Sequence, residues 1–316
     1  MTPQPRIVAF GSPLVLRPAL RVAAALGAAV FAEEDAEQLP AHLGRVDPHV
    51  VLWEHTPERR ALVAKVLESF PDLRIVLLAE PSPPADLDAL LGEPWFHHLL
   101  GLGAPWFMEE LTATLARLLG RPSVGVAGFL PWGSRVVSVQ ITRSGDKDLV
   151  FPRLEALLSD LGIRGRLVAR LIDVADELLM NAIYDAPVDR MTGQPLYTSR
   201  RRAEPITLAA GDQPTFSFGT DGQKLVLGIT DPFGGLTADT VKRYLAKGLR
   251  RGQDQIDQKD GGAGLGLFLM LEGLNGLHFL VDPGRRTEVV GMLNVRGSMR
   301  EAASTSKSLT ILVKRR

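Results

Sequence analysis

The stretch Glu177-Leu-Leu-Met-Asn181-Ala-Ile-Tyr-Asp185 places a polar residue at every fourth position of an otherwise mostly apolar segment. Four residues are close to one turn of an α-helix, so the three polar side chains are predicted to lie along one side of a helix. A neighbouring apolar stripe predicts that this polar row lies at the rim of a core. The stripe consists of Leu167, Leu171, Leu178 and Ala182. A helix with three ordinary surface residues is the alternative.

A second motif follows an apolar run that begins at Val226 and is predicted to be a buried strand. The strand leads into Asp231-Pro-Phe-Gly234-Gly235. A carboxylate at this place can accept a hydrogen bond from an exocyclic amino group such as that of adenine. The two glycines would let a planar base approach the backbone. An ordinary β-turn is the alternative, because Asp, Pro and Gly are all common in turns.

The third motif, Gly261-Gly262-Ala-Gly264-Leu265-Gly266, runs directly into an apolar segment that is predicted to be a helix. Backbone amides at the start of a helix favour phosphate oxygens. No Rossmann-type strand precedes these glycines, and no Lys-Ser or Lys-Thr pair follows them. The pattern therefore favours neither a dinucleotide-binding fold nor a P-loop.

In this order, the three motifs resemble the N, G1 and G2 boxes of the gyrase, chaperone, histidine-kinase and mismatch-repair ATPases, the GHKL superfamily. The resemblance covers about residues 135–316 and implies an α+β sandwich with ATP and Mg²⁺ as ligands. By this resemblance, Asn181 would ligate Mg²⁺, Glu177 would orient or deprotonate the attacking water or hydroxyl, and Asp231 would bind the adenine amino group. The residues that would contact the nucleotide are Asn181, Asp185, Asp231, Gly234, Gly235, Gly262, Gly264, Leu265 and Gly266.

The chain departs from the family pattern at two aromatic residues. Phe233 stands where the G1 box has its first glycine, and Tyr184 stands where many histidine kinases have a basic residue. Either ring could stack on the base or narrow the pocket, so ATP binding is predicted in preference to fast turnover. A mobile lid is expected at about residues 242–259. Three cations in it, Lys247, Arg250 and Arg251, either add charge near the γ-phosphate or form a solvated helix face.

The branch of the superfamily follows partly from the histidines, none of which has the setting of a phosphoacceptor. They are His42, His49, His55, His97, His98 and His278. The run from Val137 to Thr142 and the segments after it resemble instead the anti-sigma-factor serine kinases. That branch implies a protein partner, such as a sigma-type or anti-anti-sigma-type regulator, that is bound and phosphorylated on Ser or Thr. A non-enzymatic signalling scaffold with a vestigial nucleotide site, and a histidine kinase acting on another protein's phosphoacceptor domain, are the alternatives.

The N-terminal half predicts a different fold. Five apolar runs alternate with helical segments, at 7–10, 28–31, 50–53, 75–78 and 98–100. Such alternation predicts a five-stranded, parallel, doubly wound α/β domain, and it resembles a response-regulator receiver. Glu54 stands where a receiver has its phosphorylated Asp, and no acidic pair follows the first strand, which ends in Phe10-Gly-Ser12. His55 is predicted to be a surface histidine. The half is interpreted as a pseudo-receiver for dimerisation or docking, with a generic flavodoxin-like interaction domain as the alternative.

Composition limits the partners. The 316 residues include 36 Lys and Arg and 36 Asp and Glu, so no global field would recruit nucleic acid or a membrane. There is no cysteine, which excludes disulfides and thiolate zinc sites. No signal-peptide pattern or long apolar run occurs, so a cytoplasmic protein is predicted. The predicted organisation is a pseudo-receiver at 1–120, a linker at 121–134 and a histidine kinase-like ATP-binding domain at 135–316, with a homodimer as a further hypothesis.

Overall fold

A computed structural model describes residues 3–80, 82–122, 125–253, 265–296 and 304–314. Its contacts divide the chain into two compact units. Unit 1 contains residues 1–123 and 306–310, and unit 2 contains residues 124–305 and 311–316. Residues 306–310 thus belong to unit 1, although the sequence assigned all of 135–316 to the ATP-binding domain. None of the helices in the described ranges is long and apolar enough to cross a membrane.

Unit 1 contains five parallel strands in the order β2-β1-β3-β4-β5. The strands are β1 Arg6–Phe10, β2 Ala29–Glu33, β3 Val50–Glu54, β4 Ile75–Ala79 and β5 His98–Gly101. The helices are α1 Pro13–Ala25, α2 Leu39–Val46, α3 Arg60–Ser69, α4 Leu87–Gly92 and α5 Phe107–Leu118. Every residue of β4 is buried, as expected where helices cover both faces of a parallel sheet. The parallel α/β architecture predicted for this half is confirmed.

A short segment from the C-terminal end of the chain completes unit 1. It contains the start of β11 (Ser308–Val313), which pairs antiparallel with β5 through Leu309 opposite Leu99. The Ser308 hydroxyl accepts a hydrogen bond from the amide of Gly101 at 3.1 Å and donates to Glu110 at 2.9 Å. The β5 edge of the parallel sheet is therefore paired by the chain itself.

Unit 2 combines antiparallel strands with helices. Its strands follow the order β9-β10-β8-β7-β6. They are β6 Val136–Gln140, β7 Thr215–Thr220, β8 Lys224–Asp231, β9 Gly276–Asp282 and β10 Arg286–Asn294. The helices are α6 Lys147–Asp160, α7 Arg166–Met180, α8 Ala238–Gln253 and α9 Leu265–Gly273. Helix α7 packs against both α9 and β8, so the three elements in or next to which the sequence motifs stand are packed together.

The polar row lies partly in α7 and partly in a π turn. The chain turns between α6 and α7 where Gly162 and Gly165 take positive φ angles of 72° and 66°. The apolar stripe of α7 is buried, which sets the rotation of the helix. After Met180 the hydrogen bonding changes, because Ala186 donates to the carbonyl of Asn181, five residues back. Turns of this wider kind are rare and are found mostly as single turns inside α-helices, frequently at functional sites.

Residues 187–212, which we call the strap, connect the π turn to β7. Its C-terminal part is fixed by backbone hydrogen bonds, from Leu208 to Thr142 at 2.8 Å and from Ser144 to Ile206 at 2.9 Å. The strap thus returns to the end of β6 before the chain enters β7. The first part of the expected lid, residues 242–253, is helical, because it lies in α8. Residues 254–259 of the expected lid lie outside the described part of the chain.

Candidate functional site

One arginine of the strap, Arg202, holds the whole polar row. Its Nη1 donates to Glu177 Oε2 at 3.0 Å, and its Nη2 donates to Asn181 Oδ1 at 3.1 Å and to Asp185 Oδ2 at 3.0 Å. Residues spaced by four drift slowly around a regular helix of 3.6 residues per turn. The wider π turn offsets that drift for the last of the three. The structure therefore places all three polar residues on one side, around a single guanidinium.

The charges in the cluster formed by Arg202, Glu177, Asn181 and Asp185 do not sum to zero. Glu177 and Asp185 bring two carboxylates to one guanidinium, and the Arg202 side chain remains 41% exposed. Burial raises the pKa of Asp185 above its ordinary value, although the charge of Arg202 acts in the opposite direction. The cluster is therefore a partly open, charged surface in which the arginine is oriented by three acceptors.

The arrangement does not fit a Mg²⁺ ion at Asn181 while Arg202 is in place. The amide oxygen that the resemblance assigns to the metal accepts a hydrogen bond from the guanidinium instead. A magnesium ion needs oxygen ligands at about 2.0–2.1 Å, and a dication there would lie beside a fixed positive charge. Within the described ranges, no group of three or more His, Cys, Asp or Glu side chains could hold a metal ion.

The glycine of the third motif that the structure describes, Gly266, lies against the polar row. A Cβ at this position would collide with the carboxylate of Glu177. The Glu177 side chain therefore lies directly against the first turn of α9 and would have to move if residue 266 carried a Cβ. Gly262 and Gly264 lie outside the described residues, as does the side chain of Leu265. The structure accordingly brings one of the three predicted phosphate-loop glycines to the site.

The second motif is formed at the end of β8. Asp231 is 5% exposed, and its Oδ1 accepts a hydrogen bond from the amide of Phe233 at 2.9 Å. Burial raises the pKa of Asp231 to about 6, against the opposing hydrogen bonds from the turn and from Thr287. Gly234 has a φ of 63°, and a Cβ there would collide with the carbonyl of Asp282. Gly235 has open space around it, as a residue next to a ligand would need.

The two aromatic departures are both buried. Phe233 is 4% exposed, and the guanidinium of Arg190 lies 5.8 Å from the centre of its ring. Tyr184 is 2% exposed, and its hydroxyl donates to the carbonyl of Glu204 at 2.6 Å. Tyr184 therefore holds the strap in place, which differs from the stacking or narrowing role expected from the sequence.

Arg202 is the residue that sequence reasoning missed. It is the last residue of the run Ser199-Arg200-Arg201-Arg202, to which the sequence analysis assigned no function. The three acceptors lie 17 to 25 residues earlier, and no periodicity links them to one arginine of the three. A basic run after an acidic helix was the available signal, and it did not identify the residue.

Unit 2 also contains a cavity of about 220 Å³ that is separate from this cluster. Ser138, Ser217, Thr230 and Glu288 supply polar groups to its wall. Thr230 precedes Asp231 in β8, and successive side chains of a strand point to opposite faces of the sheet. The cavity is therefore a feature of the other face and is lined by none of the predicted site residues.

Unit 1 contains a smaller cluster at the carboxyl ends of its strands, formed by Glu54, Ser12 and Arg59. Glu54, the last residue of β3, accepts hydrogen bonds from the amide of Ser12 at 2.8 Å and from Nη1 of Arg59 at 2.8 Å. A Cβ at Gly11 would collide with the Glu54 side chain, so the carboxylate is closely enclosed. The prediction of a surface histidine was wrong, because His55 is 5% exposed and its Nε2 lies 3.0 Å from Asp86.

Comparison with known proteins finds a structural similarity over part of the chain and no family. No protein-family model matches the chain, and no curated protein matches it. Among solved structures, the chain is similar to the signal receiver domain of an HD domain-containing protein from Pseudomonas fluorescens Pf-5. The match has 22% identity and a TM-score of 0.33, and it covers 38% of this chain and 89% of that one. The strand order of unit 1 places it by its own topology in the flavodoxin-like class of α/β folds, which includes receivers.

Proposed function

We propose that unit 2 binds an adenine nucleotide, ATP, and that the protein is a signalling regulator which controls a protein partner through this binding. The observation that carries the proposal is the approach of α9 to α7, where Gly266 leaves room for the Glu177 carboxylate. This approach sets the amide-bearing start of a helix beside the polar row. The end of β8 belongs to the same packed group of elements.

The adenine end of the proposed site is the turn after β8. A buried acceptor next to a flexible glycine suits the exocyclic amino group of adenine, because the acceptor has few competing water molecules. Asp231 provides that acceptor, and Gly235 provides the open approach. Guanine carries a carbonyl oxygen at the corresponding position, and an ionised carboxylate would repel it.

The phosphate end of the proposed site lies at the start of α9. The first amides of a helix have no partner within the helix and carry a partial positive charge, so they favour phosphate oxygens. Together with the adenine acceptor, this gives the two ends that a nucleoside triphosphate needs. Each feature alone is common in proteins, and it is their packing around α7 that supports a nucleotide as the ligand.

Binding without rapid turnover follows from the pairing of Glu177. A general base must be free to take a proton from the attacking group. The Glu177 carboxylate instead accepts a hydrogen bond from Arg202 at 3.0 Å. This pairing favours a regulator that acts by binding over an ATP-dependent serine or threonine kinase.

The proposed signalling role rests on the architecture of unit 1. A flavodoxin-like unit whose Glu54 is enclosed by Ser12 and Arg59 suits recognition of a protein better than phosphoryl transfer. A sigma-type or anti-anti-sigma-type regulator is the class of partner implied by the resemblance of unit 2. Fold analogy supports this part of the proposal, and the site itself does not address it.

Calorimetric titration with ATP and GTP tests the proposal. We expect ATP to bind at least about tenfold more tightly than GTP, because a buried acceptor discriminates the two bases by about one charged hydrogen bond. Gly266→Ala should weaken ATP binding, since the added methyl group would displace the Glu177 side chain at the start of α9. Equal affinity for the two nucleotides, or unchanged binding in the alanine variant, would contradict the proposed site. Transfer of labelled phosphate to a partner would establish the kinase alternative.

A further inference from the structure

The position of Arg202 bears on which positive charge would contact the phosphates of a nucleotide bound to unit 2. The guanidinium is held by three acceptors from three successive turns of one helical segment, all at 3.0–3.1 Å. Two of the acceptors are carboxylates, which make the stronger, charge-assisted kind of hydrogen bond. An arginine fixed in this way is an oriented positive charge and differs from a freely moving surface side chain.

The arginine retains the capacity to bind a ligand. A guanidinium has five N–H donors, and the three hydrogen bonds to the polar row use three of them. The side chain is 41% exposed, so solvent reaches it. Arginine matches phosphate geometry well, because its donors lie in one plane and its charge is permanent. The remaining donors can therefore serve a phosphate oxygen.

The same contact explains the poor fit of a metal. Asn181 Oδ1 is the neutral oxygen that the resemblance assigns to a metal ion, and it is turned to the guanidinium. Glu177 and Asp185 would repel a triphosphate, and Arg202 is the charge that screens them. Removal of the arginine would leave the carboxylates of Glu177, which lies against Gly266, and of Asp185 without their cation. The hydrogen bonds of Asn181 and of both carboxylates are thus directed to Arg202 and not to a divalent cation.

We propose that Arg202 takes the place of the divalent cation in unit 2, so that the phosphates of a bound nucleotide contact its guanidinium and binding is independent of Mg²⁺. This inference rests on the proposed function, because it concerns the same site. Glu177, Asn181 and Asp185 are then positioning residues that orient Arg202. With one positive charge in place of two, the site holds the nucleotide without polarising its terminal phosphate for transfer.

The test is calorimetric titration of the full chain with ATP, once with excess Mg²⁺ and once with EDTA. For the natural protein we expect the two dissociation constants to agree within about twofold, because no metal is part of the site. For Arg202→Ala and Arg202→Met we expect binding in EDTA to weaken at least about tenfold, the size of a lost charge-assisted contact. Added Mg²⁺ should then restore part of the affinity, since Asn181 and both carboxylates are released. Arg201→Ala, the matched change one residue earlier, should behave as the natural protein.

Each outcome decides the inference. Binding of the natural protein only with Mg²⁺, or tighter Mg²⁺-ATP binding by the two Arg202 variants, would show that the arginine competes with a metal, and would overturn the inference while the proposed function stands. Equal binding in EDTA by natural and variant proteins would do the same. Absence of ATP binding under both conditions would overturn the proposed function together with the inference. If the Arg202 variants do not fold, as judged by circular dichroism, the comparison of Mg²⁺ and EDTA on the natural protein still decides.

Discussion

Glu54 of unit 1 and Glu177 of unit 2 are both paired with an arginine, but the two arginines come from different distances along the chain. Arg59 lies five residues after Glu54, whereas Arg202 lies 25 residues after Glu177. The near arginine and the amide of Ser12 enclose a single carboxylate. The distant arginine gathers three side chains and stays partly exposed. A pairing between near neighbours stabilises local structure, whereas a pairing between distant segments fixes how the strap packs on the polar row.

Both clusters also show why an acidic residue at an expected catalytic position is weak evidence for catalysis. Each of the two carboxylates accepts a hydrogen bond from an arginine, which occupies an oxygen that a reacting group would need. Asp231 is the useful contrast, because the backbone of its turn and Thr287 hold it instead of an arginine. Its raised pKa marks it as the acid whose environment is tuned by burial.

The largest expected effect is a change in the free energy of unfolding when Asp231 is replaced. The pKa of Asp231 is about 6 in the fold and near 3.9 in an unfolded chain, so the fold binds more protons between these values and becomes more stable as the pH falls. Asp231→Asn, which buries no charge, should therefore be more stable than the natural protein at pH 8, by about 2–3 kcal/mol. The advantage should shrink to about half at pH 5. Urea unfolding at the two pH values measures it, and an advantage that does not change with pH would contradict the assignment.

The next effect is a loss of ATP affinity, which is expected for a substitution in unit 2 and not for one in unit 1. Asp231→Ala should weaken ATP binding about 30-fold, because a charged acceptor of the adenine amino group is lost. Glu54→Ala, the matched change in unit 1, should leave the affinity unchanged. Calorimetry on both variants makes the measurement, with circular dichroism as the control for folding. A similar loss in both variants would show that the carboxylate of Asp231 has no specific part in binding.

A smaller effect is expected on the strap. Arg202→Ala removes three hydrogen bonds that hold residues 187–212 against α7, so local opening should become easier by about 1 kcal/mol. Chymotrypsin should then cleave after Leu196 or Tyr197 about fivefold faster. Arg59→Ala in unit 1 and Arg201→Ala in the strap are the controls, and both should be cleaved at the natural rate. Faster cleavage of all three variants would indicate a general loss of stability.

The smallest effect is an expected absence of reaction. Glu54→Asp restores the residue type that receivers phosphorylate, but Phe10 and Ser12 stand where an acidic pair would hold the metal. Incubation with acetyl phosphate and Mg²⁺ should therefore give no phosphorylated protein by mass spectrometry. A mass increase on this residue would contradict the expectation that unit 1 lacks receiver chemistry.

The sequence predicted much of the architecture because local patterns carry it. Five apolar runs predicted the five strands of unit 1, and the apolar stripe of α7 predicted which side of that helix is buried. The spacing of the polar row was visible for the same reason. His55 was misassigned because its burial depends on the partner Asp86, 31 residues away. The assignment of 306–310 to unit 1 likewise depends on pairing with a strand about 200 residues earlier.

Helix and strand periods predicted that Glu177 lies in a helix and that Asp231 ends a strand, because these periods are properties of neighbouring residues. They did not predict the π turn that contains Asn181 and Asp185. Only the tertiary structure decided what these groups contact. The strap folds back and sets Arg202 on the polar row, and burial at the end of β8 changes the acidity of Asp231. Both depend on which distant segments meet, and the free energy of a charge depends on everything within a few ångströms of it. A local sequence pattern does not specify these contacts between distant segments.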